Sequence, residues 1–153
     1  MEKDTGWEED DELIGADTQI DKQSTEDIEL LKREADNLVF EERYEEAIGC
    51  LNRILAIKPD NEEIMASKGF TFCLLGDFDE GFFYLEEASR INPASKSVLI
   101  MTADAYLRYK RPDISIQVLD QAIDMHPDDD GLVMLKEIIL MTKFRKKEYF
   151  SLN

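Results

Sequence analysis

Apolar residues recur along this chain at spacings of three and four, in segments separated by short polar turns. Such spacing places the apolar side chains on one face of a helix. Residues 27–40 put Ile28, Leu31, Ala35, Leu38 and Val39 on that face, and Glu41-Glu42-Arg43 reads as a turn. Residues 44–57 follow with Tyr44, Ala47, Ile48, Leu51, Ile54 and Leu55. Residues 62–75 present Met65, Gly69, Phe72 and Leu75, and Gly76 then suits the left-handed conformation that ends many helices. Residues 78–91 present Phe78, Gly81, Phe82, Leu85, Ala88 and Ile91. Residues 96–109 present Leu99, Ala103 and Tyr106, with Lys110-Arg111 as the turn. Residues 112–125 begin at Pro112, which a first helical turn tolerates, and present Ile116, Leu119, Ala122 and Ile123. A last helix is predicted from about 130 into the high 140s, with Val133, Ile139, Leu140 and Phe144 available for packing. It starts with Asp128-Asp129-Asp130 and ends in Lys143, Arg145, Lys146 and Lys147, and each sign suits the helix dipole at its end.

The helices repeat. Pro59, Pro93 and Pro127 are each 34 residues apart, and each closes a similar phrase. Aligned on the prolines, one column reads Ala35, Gly69, Ala103 and another Leu38, Phe72, Tyr106. Further columns read Tyr44, Phe78, Pro112; Leu51, Leu85, Leu119; and Ile54, Ala88, Ala122. Small residues recur where two helices of a pair approach, and large apolar ones recur a turn later. One helical pair cannot bury both its faces, so neighbouring pairs must stack.

These columns resemble the tetratricopeptide repeat (TPR). The resemblance implies an all-α chain, an α-solenoid of antiparallel helix pairs forming a TPR superhelix. Its units would span 28–61, 62–95 and 96–129, with 130–150 as a capping helix. The chain departs from the pattern at a few places. Gly81 and Ser115 stand where Ala47 keeps alanine, which is expected to loosen the start of those helices. Pro112 replaces the usual aromatic, and Ala35 stands where Gly69 supplies a glycine.

The resemblance also implies a peptide-binding groove lined by the first helix of each pair. Lys32, Asp36, Val39 and Phe40 fall at groove positions in the first unit. Ala66, Phe70, Cys73 and Leu74 do so in the second, and Ile100, Asp104, Leu107 and Arg108 in the third. Met134 and Ile138 would close the end. Family members that bind heat-shock chaperones grip a terminal carboxylate with Lys, Asn and Arg. Here Lys32 matches one such position, but the others are Asp36, Ser67, Ser97 and Met101, so that clamp is absent. The remaining groove suits an apolar peptide or an amphipathic helix of a protein partner.

Charge narrows the partner. The formal net charge is −17, with no excess of Lys and Arg to neutralise phosphates, which argues against nucleic acid and an anionic membrane surface. The acids concentrate in residues 1–27, where eleven acidic residues face two lysines. That segment buries too little apolar surface to offset its ordering and reads as a disordered acidic arm. A helix start is expected near Ser24-Thr25-Glu26-Asp27. Within the arm, Trp7 to Ile14 mixes acids with large apolar residues and suits docking on a basic, apolar surface or in the chain's own groove.

Chemistry is not evident. Cys50 and Cys73 form no metal or redox motif and read as reduced, buried residues. His126 is the one histidine, without companions for a metal site. The triple aspartate lacks the alternation and the fixed glycine of a calcium loop and reads as a helix cap. The first dozen residues are acidic where a signal peptide would be basic and then apolar, and no apolar run has the length of a membrane helix. The expectation is therefore a cytoplasmic, non-catalytic adaptor with no cofactor and no metal. A TPR chaperone of the type III secretion kind and a self-assembling scaffold, with the chain as a homo-oligomer, remain as alternatives.

Overall fold

A computed structural model describes residues 11–151, with side chains placed from Lys22 to Lys143. Among the described residues there are seven helices and no strand. They are α1 (Asp11–Phe40), α2 (Tyr44–Ile57), α3 (Glu62–Leu75), α4 (Phe78–Ile91), α5 (Lys96–Arg108), α6 (Pro112–Met125) and α7 (Asp130–Ser151). Helices α1 and α2, α3 and α4, and α5 and α6 pack as pairs. The pairs stack through α2 on α3, through α3 and α4 on α5, and through α6 on α7. This is an α-solenoid, and its core is a row of small clusters.

The first cluster joins Leu31, Ala35, Leu38, Ala47, Leu51 and Ile54 and borrows Ile64 from α3. The second joins Ala66, Cys73, Leu85 and Ala88 and borrows Val98 and Ala105 from α5. The third joins Leu99, Ala103, Leu119 and Ala122 to Leu132 and Ile139 of α7. Each unit thus finishes its core with residues of the next. An aromatic seam strengthens the second junction, where Phe82 stacks on Tyr106 at 4.4 Å between centroids and Phe78 meets Tyr109 at 4.9 Å.

The turns repeat as closely as the helices. The amides of Arg43, Asp77 and Arg111 donate to the carbonyls of Leu38, Phe72 and Tyr106 at 2.8, 2.9 and 2.8 Å. The residue before each donor is left-handed: Glu42 at φ 60°, Gly76 at 95° and Lys110 at 61°. This bond, from two or three residues past the helix back to its last full turn, satisfies carbonyls that the helix end leaves open. At the proline turns, the amides of Lys58, Asn92 and His126 cap Ile54, Ala88 and Ala122. Neighbouring turns are also stitched together. Asn92 Nδ2 donates to Glu62 Oε1 at 3.1 Å, and His126 Nε2–H donates to the Ala94 carbonyl at 2.8 Å.

The structure departs from the sequence reading in three places. Helix α1 starts at Asp11, well before Ser24, while residues 1–10 of the acidic arm lie outside the described residues. No proline interrupts residues 11–40, and propagating an existing helix costs far less than nucleating one. The cap-like Ser24 and Thr25 therefore fall inside it. Second, α3 buries Ile64, Ala66, Thr71 and Cys73 as well as Gly69, while Leu75 is exposed. A helix packed against α2, α4 and α5 at once has no single apolar stripe. Third, α7 buries Leu132 and Ile139 and leaves Val133 exposed. Among the described residues, no helix covers the face that Val133 occupies.

Candidate functional site

The candidate groove is the surface that α1, α3, α5 and α7 share. Its residues fall into three groups. Ala66 and Cys73 are buried between helices and offer a partner no surface. Burial pushes the Cys73 thiol up to about 11, with Asp77 adding to the shift and Arg108 opposing it. Burial also raises Cys50, so both thiols stay protonated at neutral pH.

A second group is engaged within the protein. Lys32 Nζ reaches Glu63 Oε1 at 3.3 Å and ties α1 to α3. The Arg108 guanidinium lies 5.4 Å from the Phe70 ring centroid, and its Nε sits 3.5 Å from Asp104 Oδ1. Phe70, Asp104 and Arg108 thus converge where α3 meets α5. Val39 packs against the first cluster, Phe70 against the second and Ile100 against the third. Leu74 is half-buried.

The third group faces outward. Asp36 is exposed and makes no ion pair among the described residues. Phe40, at the end of α1, is 90% exposed. Leu107, Met134 and Ile138 are all exposed. The repeat phase adds a residue that the sequence reading missed. Met141 lies 34 residues beyond Leu107 and is 64% exposed. Extending the Val39, Cys73, Leu107 column by one more step would have found it. Met134, Ile138 and Met141 sit at i, i+4 and i+7, so they form a single stripe along α7.

Among the candidate positions, α1 carries Lys32, paired with Glu63 of α3, together with Asp36 and the exposed Phe40, α5 carries the exposed Leu107 beside the Asp104–Arg108 pair, and α7 carries the exposed apolar stripe. No three His, Cys, Asp or Glu side chains among the described residues gather to hold a metal ion. The triple aspartate does structural work: Asp129 accepts from Lys96 at 2.7 Å and from the Gly131 amide at 3.1 Å. The lysine lowers the Asp129 carboxyl below its usual range. Among the described residues, no helix is long and apolar enough to cross a membrane.

Comparison with known proteins agrees with this architecture. Residues 74–139 match the tetratricopeptide repeat family. No curated protein matches the chain in sequence. Among solved structures, the first TPR domain of human RPAP3 superposes with a TM-score of 0.64 at 14% identity, covering 79% of this chain and 95% of that one. The first TPR of Spaghetti (RPAP3), bound to the HSP90 peptide SRMEEVD, gives 0.63 at 14% identity, covering 76% and 95%. The Sgt2 TPR domain from Aspergillus fumigatus gives 0.63 at 17% identity, covering 82% of each. Sequence period, packed helix pairs, repeated turns and these likenesses agree: the described chain has the tetratricopeptide repeat solenoid fold, and its residues 74–139 match that family.

Proposed function

We propose that this protein is a non-catalytic adaptor, with units at 28–61, 62–95 and 96–129 and a cap at 130–150, that holds an amphipathic helix or apolar peptide of a protein partner. The observation that carries this reading is the unpartnered apolar end of the groove, where Leu107, Met134 and Ile138 all stand exposed. Methionine adapts its shape to a bound surface, and buried apolar anchors dominate helix-in-groove recognition. The Spaghetti domain is bound to an acidic HSP90 peptide. This groove offers such a peptide little, because Lys32 is already paired with Glu63 and Asp36 is an acid.

The structure refines the choice of test residues. Phe70 packs into the second core cluster, so a charge there would disturb the fold as well as the groove. Leu107 and Met134 are exposed and can be changed without touching the core. Selection of helical peptides on the native protein is expected to enrich apolar residues at i, i+3 and i+4. Leu107→Glu with Met134→Glu is expected to lower the affinity of those peptides at least tenfold with an unchanged unfolding midpoint. Equal binding by the variant would place the site elsewhere.

A further inference from the structure

The two ends of the helix array are not alike, and the difference points to self-association. Each unit carries an apolar residue at the same repeat position, near the start of α3, α5 and α7 and two-thirds of the way along the longer α1: Leu30, Ile64, Val98 and Leu132. In the later units this residue packs against the preceding pair, and Ile64, Val98 and Leu132 are 1–2% exposed. Nothing among the described residues precedes α1, and Leu30 is 60% exposed. It borders an open pocket of about 520 Å³ lined also by Asp27, Glu34, Arg53, Ala56 and Ile57. A solenoid needs a polar outer face on its terminal units. The first unit instead keeps the residue type that receives a neighbouring helix.

The chain's own arm is poorly placed to fill that space. Along α1, Asp11 lies about 28 Å from Leu30 at the helical rise. Trp7, the one aromatic of residues 1–10, is four residues further on and spans about 14 Å at most from Asp11. Charge then selects among the other occupants. The α1 edge bears Glu26, Asp27, Glu29 and Glu34 against Arg33 and Arg53, so two such edges face to face would set one net acidic surface against another. The far end of the same chain is the complement. Helix α7 exposes Met134, Ile138 and Met141 and runs into Lys143, Arg145, Lys146 and Lys147, a concentrated run of bases in a chain of net charge −17.

We propose that α7 of a second copy docks on the α1–α2 edge, joining copies head to tail. Its apolar stripe covers Leu30 and Ile57, and its basic end lies along the acidic flank of α1. The contact is heterologous, so each pairing leaves a free end on both copies and the assembly grows instead of closing as a dimer. The inference does not rest on the groove reading, although an α7 engaged in this way has less of its stripe to offer a groove partner.

The test is light scattering or sedimentation of the full chain over a wide concentration range. The weight-average mass is expected to climb past that of a dimer and to fall back towards monomer with added salt, which screens exposed charges. Leu30→Glu and Met141→Glu alter exposed residues only. Each is expected to hold the chain at monomer mass. Mixing the two variants is expected to give one-to-one pairs and nothing larger, because one sound edge and one sound α7 remain. Leu107→Glu is expected to assemble as the unaltered chain does. Constant monomer mass at every concentration would overturn the proposal. So would a dimer that survives Leu30→Glu, since that contact would join α7 to α7. A chain that assembles only after removal of residues 1–10 would assign the edge to its own arm, and would overturn it too.

Discussion

The α3–α4 and α5–α6 pairs occupy the same columns of the repeat, yet they meet differently. In α3–α4 the small residues at the crossing are Gly69 and Gly81. A Cβ at Gly81 would lie 2.3 Å from Cys73 Sγ, 2.9 Å from the Gly69 carbonyl oxygen and 3.1 Å from the Cys73 nitrogen. A Cβ at Gly69 would lie 2.7 Å from the Gly81 carbonyl oxygen. The two backbones touch. In α5–α6 the matching residues are Ala103 and Ser115, both buried, and their Cβ atoms fit. The repeat fixes where helices cross, while the residue pair at the crossing sets how close they come. Gly81, expected from sequence to loosen its helix, is instead half of a close backbone contact between α3 and α4.

The widest gap between the two pairs should appear when Gly81 and Ser115, the matching residues of α4 and α6, are each replaced by alanine. Gly81→Ala forces its Cβ against backbone atoms that cannot rotate away. Overpacking of this kind costs about 1–3 kcal/mol, and the backbone contacts place Gly81→Ala towards the upper end. Urea unfolding would measure it as a lower midpoint with an unchanged slope. Gly49→Ala on exposed α2, where nothing lies within 4 Å of the added carbon, is the control. There the change is expected to stabilise by about 0.8–1 kcal/mol through helix propensity alone. Equal effects at both glycines would mean that α3 and α4 can move apart freely.

The α5–α6 side offers the opposite change. Ser115 is fully buried, and its Oγ has no hydrogen-bond partner among the described residues. A buried hydroxyl without a partner carries a desolvation cost of about 1–3 kcal/mol. Ser115→Ala restores the residue that α2 already has at Ala47, and it is expected to raise stability by about 1–2 kcal/mol in the same assay. Loss of stability would show that the hydroxyl is bonded in solution.

These contrasts mark what sequence can and cannot carry. Helices and turns were legible because each follows from local spacing: apolar residues at three and four, Gly76 at a turn, a proline every 34 residues. The consequences of pairing were not. Whether Gly81 loosens or tightens depends on Cys73 and Gly69, which lie on another helix. The groove divides in the same way. The resemblance put Leu107, Met134 and Ile138 at groove positions, and they stand exposed. Ala66 and Cys73 share that phase but lie on α3, whose neighbours on three sides bury them. Leu30 reads from sequence as one more apolar residue, and only its buried counterparts in later units reveal that its edge is open.

The turns give the smallest and most local version of the contrast. Between α3 and α4 the left-handed residue is Gly76, whereas between α5 and α6 it is Lys110, at φ 61°. The bridging bond is the same length within 0.1 Å, 2.9 Å from Asp77 and 2.8 Å from Arg111, so the two turns differ in residue and not in geometry. A side chain in the left-handed region costs about 1–2 kcal/mol, because Cβ crowds the following carbonyl. Glycine avoids that cost but loses about 0.5–1 kcal/mol more backbone entropy on folding. Lys110→Gly is therefore expected to stabilise by about 0.5–1 kcal/mol, and Gly76→Lys to destabilise by a similar amount. Glu42→Gly, at φ 60° in the first unit, should behave as Lys110→Gly does. If Glu42→Gly gains nothing, its turn is held by other means. The candidate is the Arg43 guanidinium, which bonds Glu41 at 2.8 Å and Glu46 at 2.7 Å across that turn. Arg43→Met beside Glu42→Gly would then restore the missing gain.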